Sequence, residues 1–290
     1  MAIDVSVIIP TFRRERELQA ALRSVVNQRG ATIEVFVVDD SPEGSAKAVV
    51  TEMADPRVRY LQNRHPTGGI PSVVRNLGWP HANGRFVHFL DDDDMVPPDH
   101  YASAVQAFAT RPNVGLLFGR IEPFGNAPEE QLRRERRYFA EAARVAKLCS
   151  RFGPRFALAG RMLFGDPLLV CSAAIMRREC VEAIGGFDVS IRLMEDADFF
   201  LRIIRRFGAA FLDQVTLQYR IGFPSLMHAE SPDALQRQRE SEGRRRMRSN
   251  YMNAHGFVEF FALALGAKFV LPLTAFAYRS AGTTSEPIAN

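Results

Sequence analysis

The sequence predicts an α/β protein with a mixed, mainly parallel sheet covered by helices on both faces. Three observations predict it. Between Val5 and Leu90, short β-branched runs alternate with segments of helical spacing. The runs are apolar at successive positions, as in strands buried on two faces rather than one. Three of them stop at polar or acidic residues, Pro10-Thr11, Asp39-Asp40 and Asp91 to Asp94, and in open α/β sheets ligands gather outside these carboxyl ends.

Val5 to Ile9 is the first strand, ended by Pro10, and Leu18, Ala21, Leu22, Val25 and Val26 form the apolar stripe of a helix over 14–27 that stops at Gly30. Ile33 to Val38 is the second strand. A helix is expected over 46–53, a short strand over 58–61, a helix over 70–77 and a fourth strand over 86–90, with another helix starting near Pro98. Val114 to Ile121 reads as a strand, residues 126–165 as Arg-rich and helical in places with a break at Gly153-Pro154, and Leu168 to Met176 as a strand. Asp196 to Phe207 carries Phe199, Phe200, Ile203 and Ile204 at helical spacing, and Val215 to Tyr219 is a last strand. From Ser231 the chain is polar and helical to Asn253, then strongly apolar from Phe257 to Tyr278.

With 290 residues, 47% hydrophobic and 24% charged, the chain can form one large domain, or one domain and an appendage. Disordered, collagen-like and disulfide-scaffold classes are excluded. Cys149, Cys171 and Cys180 are odd in number and fit no CxxC spacing, so they are expected as thiols with no zinc site. The net charge is +4, and the basic residues are almost all arginine, spread along the chain without a nucleic-acid-reading motif. No nucleic-acid partner is expected. Met1 to Asp4 leads straight into the first strand with no basic leader, which points to a cytoplasmic protein.

Asp91 to Asp94 is the strongest local signal. Four adjacent carboxylates repel one another, and a hard divalent cation, Mn²⁺ or Mg²⁺, relieves that repulsion. The alternative is a solvated acidic turn. Asp39-Asp40 can accept hydrogen bonds from a base or ribose, or simply make a turn with Ser41-Pro42. Glu195-Asp196 opens a helix, where a carboxylate can cap it or act as a general base. No GxGxxG, Walker A or GxSxG motif is present, which argues against dehydrogenase, NTPase and hydrolase chemistry. The histidines show no HExxH or HxH spacing and are expected on the surface or in loops.

Taken in order, these segments resemble the inverting nucleotide-sugar glycosyltransferases of family 2, which have the GT-A fold. Val5 to Phe12 is similar to the family's opening strand and Val37 to Ser41 to its second; Arg75-Asn76-Leu77-Gly78 and Asn83 to Asp94 are similar to its DxD segment; Gly185-Gly186-Phe187-Asp188 and Glu195 to Arg202 resemble its acceptor-side motif and ED pair. The resemblance implies a catalytic unit over 1–225, with a nucleotide-binding half (1–120) and an acceptor-side half (121–225), followed by a helical appendage over 226–290. It implies that Asp39 contacts the nucleobase, that Pro10, Thr11 and Arg75 line the nucleotide pocket with Asp92, and that Asp91 holds ribose or the outer shell of the metal. Asp93 would be the direct metal ligand, Asp196 the catalytic base and Glu195 its substitute. A basic or histidine segment after the last strand reaches the diphosphate or metal in the family, and here either Arg220 or His228 would fill that place. The partners implied are a nucleotide-sugar donor, UDP-, TDP- or GDP-linked, and a carbohydrate or glycoconjugate acceptor.

Two other readings compete. A sugar-nucleotide nucleotidyltransferase needs a Gly-rich basic loop after the first strand, where this chain has Pro10-Thr11-Phe12-Arg13; a non-catalytic binding relative is disfavoured by the intact Asp93 and Asp196. The apolar tail contains Glu259, Lys268 and Pro272, so a membrane span is rejected. A docked helix, a homodimer face and an in-plane anchor at the inner membrane face, helped by Arg244 to Arg248, stay open.

Overall fold

The computed structural model describes residues 2–151, 153–222 and 234–273. Seven strands form one sheet in the order β3-β2-β1-β4-β6-β5-β7. β1 (Val5–Thr11) and β2 (Ile33–Asp39) lie inside the sheet and are buried almost throughout, which is why their sequences are continuous apolar runs. β3 (Val58–Gln62), at the edge, buries only Val58 fully and leaves Arg59 and Gln62 exposed. β1 pairs in parallel with β2, from Val5 opposite Ile33 to Thr11 opposite Asp39, and with β4 (Phe86–Phe89) on its other side. The register brings the ends of β1, β2 and β4 to one edge of the sheet.

Helices α1 (Glu15–Val26), α2 (Ala46–Met53), α3 (Pro71–Gly78) and α4 (His100–Ala109) connect or flank these strands. α1 buries Leu18, Ala21, Leu22 and Val25, the stripe its spacing predicts. β5 (Leu116–Gly125) and β7 (Ala209–Ile221) pair in parallel, and both run further than the sequence suggests because their outer halves pair with each other. β6 (Ala174–Arg177) is antiparallel to both β4 and β5. The strand expected over 168–176 is therefore shorter. Its first half is broken by a 3₁₀ turn, Cys171–Ala173, which serves β4: the His88 Nε2–H donates to the Ser172 carbonyl (2.8 Å) and the Asp91 N–H donates to the Ser172 hydroxyl (3.0 Å). His88 and His100 are buried, against the surface position expected for the histidines. Burial lowers the pKa of His88 to about 4, so it stays neutral and accepts at Nδ1 from the Tyr101 hydroxyl.

α5 (Glu129–Arg151) and α6 (Pro154–Phe164) cover the β5–β7 side, and α7 (Arg178–Ile184) and α8 (Glu195–Phe207) follow β6. The three cysteines are buried thiols. The boundary expected near residue 225 falls outside the described residues. Beyond it, α9 (Ala234–His255) and α10 (Phe257–Leu273) lie against α6 and α8 rather than apart from them. Met247 and Tyr251 of α9 are buried, Asn250 donates to Asp188 (3.0 Å) and Asp198 (3.2 Å), and Glu259 of α10 pairs with Arg205 of α8 (2.7 Å).

Gly243 makes the closest approach, since a Cβ there would stand 2.0 Å from the Leu193 carbonyl oxygen. Alanine in the middle of a free helix stabilises it by about 1 kcal/mol over glycine. Against a backbone atom at this distance, the added methyl is expected to reverse the sign. Gly243→Ala should lower the stability by about 1–3 kcal/mol, the usual range for overpacking, and urea unfolding measures it. A stabilised variant would mean that α9 is not docked.

Candidate active site

The loop after β4 carries the four aspartates along the sheet edge. Crowding and burial act on each. Asp92 is buried, and burial together with the neighbouring Asp93 raises its pKa to about 7. Burial, then Asp91, raises that of Asp93, and burial, then Asp93, raises that of Asp94 well above the usual carboxylate range. Asp91 is the most open of the four, its side chain one third exposed.

Two arginines from distant parts of the chain meet this loop. Arg14, just before α1, donates from one Nη1 to Asp93 (2.5 Å) and Asp92 (3.3 Å). Arg220, near the end of β7, donates from its backbone N–H to the Asp94 carboxylate (2.9 Å) and from Nε to the Asp93 carbonyl (2.7 Å). Met95 and Gln218 exchange backbone hydrogen bonds beside it, so β7 holds the far side of the loop. Of the two candidates for this position, Arg220 reaches the loop, and His228 lies outside the described residues.

Arg75 joins the aspartate loop to the second acid cluster. It lies on α3, only 3% exposed. Its Nη2 donates to Asp91 (2.7 Å) and its Nη1 to Glu195 (2.8 Å), while the guanidinium stands 5.3 Å from the centre of the Phe187 ring. Asn76, the next residue, locks the Gly185-to-Asp188 loop in both directions: its Nδ2 donates to the Phe187 carbonyl and its Oδ1 accepts from the Phe187 N–H, both at 2.9 Å. Gly186 has φ +83°, and a Cβ would meet Asn76 Oδ1 at 2.6 Å, so no side chain fits there. The Phe187 ring stacks on Phe199 of α8 with centroids 4.0 Å apart. Glu195-Asp196 is in this way fixed against β4 through α3.

Asp196 is half-buried at the first turn of α8 and accepts from the Ala197 N–H (2.7 Å). Burial, then Glu195, raises its pKa to about 7. Met194, which precedes the pair, holds a left-handed φ of +74°, a strained conformation for a residue with a side chain. The Cys171 thiol is buried among Arg75, Asp91 and the two acids, and burial raises its pKa well above the ordinary value.

Pro10 and Thr11 end β1, with the Thr11 hydroxyl beside Asp92. Asp39, for which the resemblance implies a nucleobase contact, is engaged within the protein. It is fully buried, and its two oxygens accept from the Ser41 N–H and hydroxyl, the Ala46 N–H and the Tyr60 hydroxyl, at 2.6–3.0 Å. It caps α2 and leaves little room for another donor. Asp40 is equally buried and holds the next loop through Asn63, Thr67 and Gly69. Sequence reasoning missed Arg14, Cys171 and Ser172, because the hydrogen bonds of Arg14 and Ser172 to the aspartate loop cross 78 or more residues and no local spacing announces any of the three.

Among the described residues, no group of three or more His, Cys, Asp or Glu side chains is arranged to hold a metal ion. The donors at the loop are all hard oxygens, and the crowded carboxylates of Asp92, Asp93 and Asp94 have raised pKa values. That set fits a divalent cation bound by one or two carboxylates, with phosphate oxygens and water completing the shell. It does not make a closed protein cage.

A profile of the family described as Glycosyl transferase family 2 matches residues 6–185. The chain is 36% identical over 132 residues to the GalNAc(5)-diNAcBac-PP-undecaprenol beta-1,3-glucosyltransferase of Campylobacter jejuni, covering 43% of this chain and 41% of that protein. Curated relatives matched here are covered over less than two thirds of their length, from 64% down to 29%. In fold, the chain is similar to TarS 1-349 of S. aureus (TM-score 0.60, 19% identity, 93% of this chain and 73% of that one). It is similar too to the mannosyltransferase PcManGT of Pyrobaculum calidifontis in complex with GDP-Man and Mn²⁺ (TM-score 0.54, 18% identity, 93% of this chain and 81% of that one). These likenesses identify the fold as GT-A.

Removing Arg75 tests the bridge. Arg75→Met keeps the apolar stem but leaves the buried Glu195 and the partly buried Asp91 without their shared cation. A stability loss of about 3–5 kcal/mol is expected, as for a buried ion pair stripped of one partner. Arg75→Lys should recover only part of it, because a single ammonium cannot reproduce the two-pronged contact. Chemical denaturation of both variants provides the measurement, and near-native stability of Arg75→Met would count against a structural bridge.

Proposed function

The chain belongs to glycosyl transferase family 2 and is a glycosyltransferase, and on that premise we propose that it transfers a sugar, with inversion, from a nucleoside-diphosphate donor to a hydroxyl of a lipid-linked saccharide in bacterial polysaccharide or glycoconjugate synthesis. Two acid clusters that meet across Arg75, one suited to a cation and one to proton removal, carry this reading. The donor class has support from TarS 1-349, whose structure has been determined in complex with UDP-GlcNAc. The acceptor class has support from relatives in C. jejuni and E. coli named for undecaprenol-linked substrates.

In this proposal Pro10 and Thr11 line the nucleotide pocket, and Asp39 and Asp40 shape it by holding the two loops around it. Asp93 and Asp91 would hold Mn²⁺ or Mg²⁺. When bound, the ion supplies Lewis-acid neutralisation of the diphosphate leaving group. Arg14 and Arg220 fix the aspartate loop from two sides, so the carboxylates are positioned before the donor arrives. Arg75 sets the distance between the loop and α8. Glu195 is committed to Arg75 and positions it, which leaves Asp196 as the base. One Asp196 oxygen is held by the Ala197 N–H, and the other takes the acceptor proton as the hydroxyl attacks the anomeric carbon. Attack on the face opposite the leaving group inverts the centre.

A base with a pKa of about 7 must be ionised to act. Transfer is expected to fall about tenfold per pH unit below 7 and to level off above it. Asp196→Asn keeps the shape and the cap, so stability and donor binding should stay near wild type while transfer falls about 10²-fold or more. Measured on a lipid-linked acceptor, wild-type rates in this variant would leave Asp196 only as a cap.

Asp93→Ala tests the cation site without turnover. Nucleoside-diphosphate binding that depends on Mn²⁺ should disappear, while the fold persists because one charge leaves a crowded loop. Calorimetry with and without Mn²⁺ reads it, and an unchanged metal-dependent affinity would defeat the assignment.

A further inference from the structure

Apart from Glu259, paired with Arg205, and Lys268, α10 is apolar and shows no polar face, the pattern of a helix covered on every side. Among its described side chains, only one side of it is covered. Phe260, Leu263 and Ala267 pack on the protein, while Phe257 (68%), Val258 (83%), Phe261 (52%) and Leu265 (43%) are exposed on the other side. Taking roughly 150–250 Å² for a fully exposed aromatic side chain and less for valine and leucine, these four expose on the order of 500 Å². A patch of this size marks an interaction surface.

Charge lies on the preceding helix, which meets α10 at Phe260, next in sequence to the exposed Phe261. α9 carries six arginines against two glutamates. Arg237, Arg244, Arg245 and Arg248 line one groove of about 670 Å³ together with Met252, Phe260 of α10 and Glu240, which pairs with Arg244 and leaves the groove a net three positive charges. Arg244 and Arg248 also donate to the Gly165 and Leu163 carbonyls at the end of α6, which fixes the groove to the domain, and Arg245 stands exposed. An apolar strip flanked by a fixed arginine row matches a layered surface, with anionic groups outside and hydrocarbon beneath.

We infer that α9 and α10 form a docking face for an anionic lipid bilayer, with headgroup phosphates in the arginine groove and Phe257, Val258, Phe261 and Leu265 set into the acyl boundary. A second copy of the chain fits less well. The exposed apolar area is below the ~800 Å² per partner of a standard interface, and a two-fold contact there would bring two arginine-rich helices together. No helix among the described residues is long and apolar enough to cross a membrane, so α10 would lie in the plane of the interface.

Co-sedimentation with phosphatidylglycerol-containing vesicles, with phosphatidylcholine vesicles as reference, tests this without donor or acceptor, so it is independent of the proposed reaction. The wild-type chain should pellet with the anionic vesicles at low salt and progressively less as salt rises. Arg245→Glu should weaken binding about 25-fold at low salt, each basic charge at such a surface being worth about fivefold and the reversal removing two such increments. Phe257→Ser/Phe261→Ser should weaken it by at least about tenfold through lost burial. Both variants touch exposed positions, and unchanged melting confirms that they fold. Absence of wild-type vesicle binding at low salt, or binding that both variants retain, overturns the inference. So does a wild-type dimer in light scattering that the phenylalanine substitutions dissolve, since the face would then belong to a second copy.

Discussion

A guanidinium shared by two carboxylates holds the two halves of the site together. Arg75 is almost fully buried, and an arginine cannot shed its proton to escape the cost of burial. It has to be matched by anions at fixed distances, and the two that match it come from the end of β4 and the start of α8. Each carboxylate is in turn tolerable only because the cation is there. The three groups therefore form a unit whose members cannot be moved separately. α3, which carries Arg75, also carries Asn76, so the same turn of helix that joins the acids pins the Phe187 loop leading into α8.

Around that unit the electrostatics are deliberately uneven. Arg75 compensates Asp91 and Glu195, and Arg14 compensates Asp92 and Asp93 in part. Burial, then Asp93 and Asp91, drives the Asp94 pKa up, and the Arg220 backbone N–H offsets only part of that rise. Burial, then the neighbouring Glu195, holds the Asp196 proton to about neutral pH against the pull of Arg75. The result is a loop short of positive charge beside a carboxyl short of a counterion. That imbalance is what a dication with a diphosphate on one side, and a hydroxyl proton on the other, would relieve.

Much of this was legible in the sequence. The continuous apolar runs of β1, β2 and β4 gave both the strands and their carboxyl-end acids, because burial on two faces leaves an unmistakable composition. The Gly185-Gly186-Phe187-Asp188 and Glu195-Asp196 segments were visible as motifs, and Gly186 turns out to need its missing side chain. Less could be read where partners are far apart in the chain. Nothing local to Arg14 or Ser172 predicts that they meet Asp93 and Asp91. Asp39 could be read from the strand end either as an acceptor for a base or ribose or as part of a turn with Ser41-Pro42, and its partners Ser41, Ala46 and Tyr60 could be found only in the fold. The break of the 168–176 run is of the same kind: its residues are strand-like, and the needs of His88 and Asp91 turn three of them into a 3₁₀ turn. Likewise the composition of α9 reads as a solvated basic helix, and only packing reveals the one glycine face that lies on the domain.

α9 links that packing to the orientation of the site. At 22 residues it is about 33 Å long and stiff over that length. One face, Gly243, Met247 and Asn250, sits on the Leu193 carbonyl and bonds to Asp188 and Asp198, which bracket the strained Met194 and the Glu195-Asp196 pair. A neighbouring face, one to two residues away in each turn, carries the arginine groove. A left-handed Met194 persists only where its surroundings leave it no relaxed alternative, and the close contact at Gly243 is part of that confinement. Any surface that engaged the arginines would therefore meet a helix already fixed against the loop bearing the acids. The direction from which an acceptor approaches Asp196 would then be set by rigid packing rather than by a flexible tether.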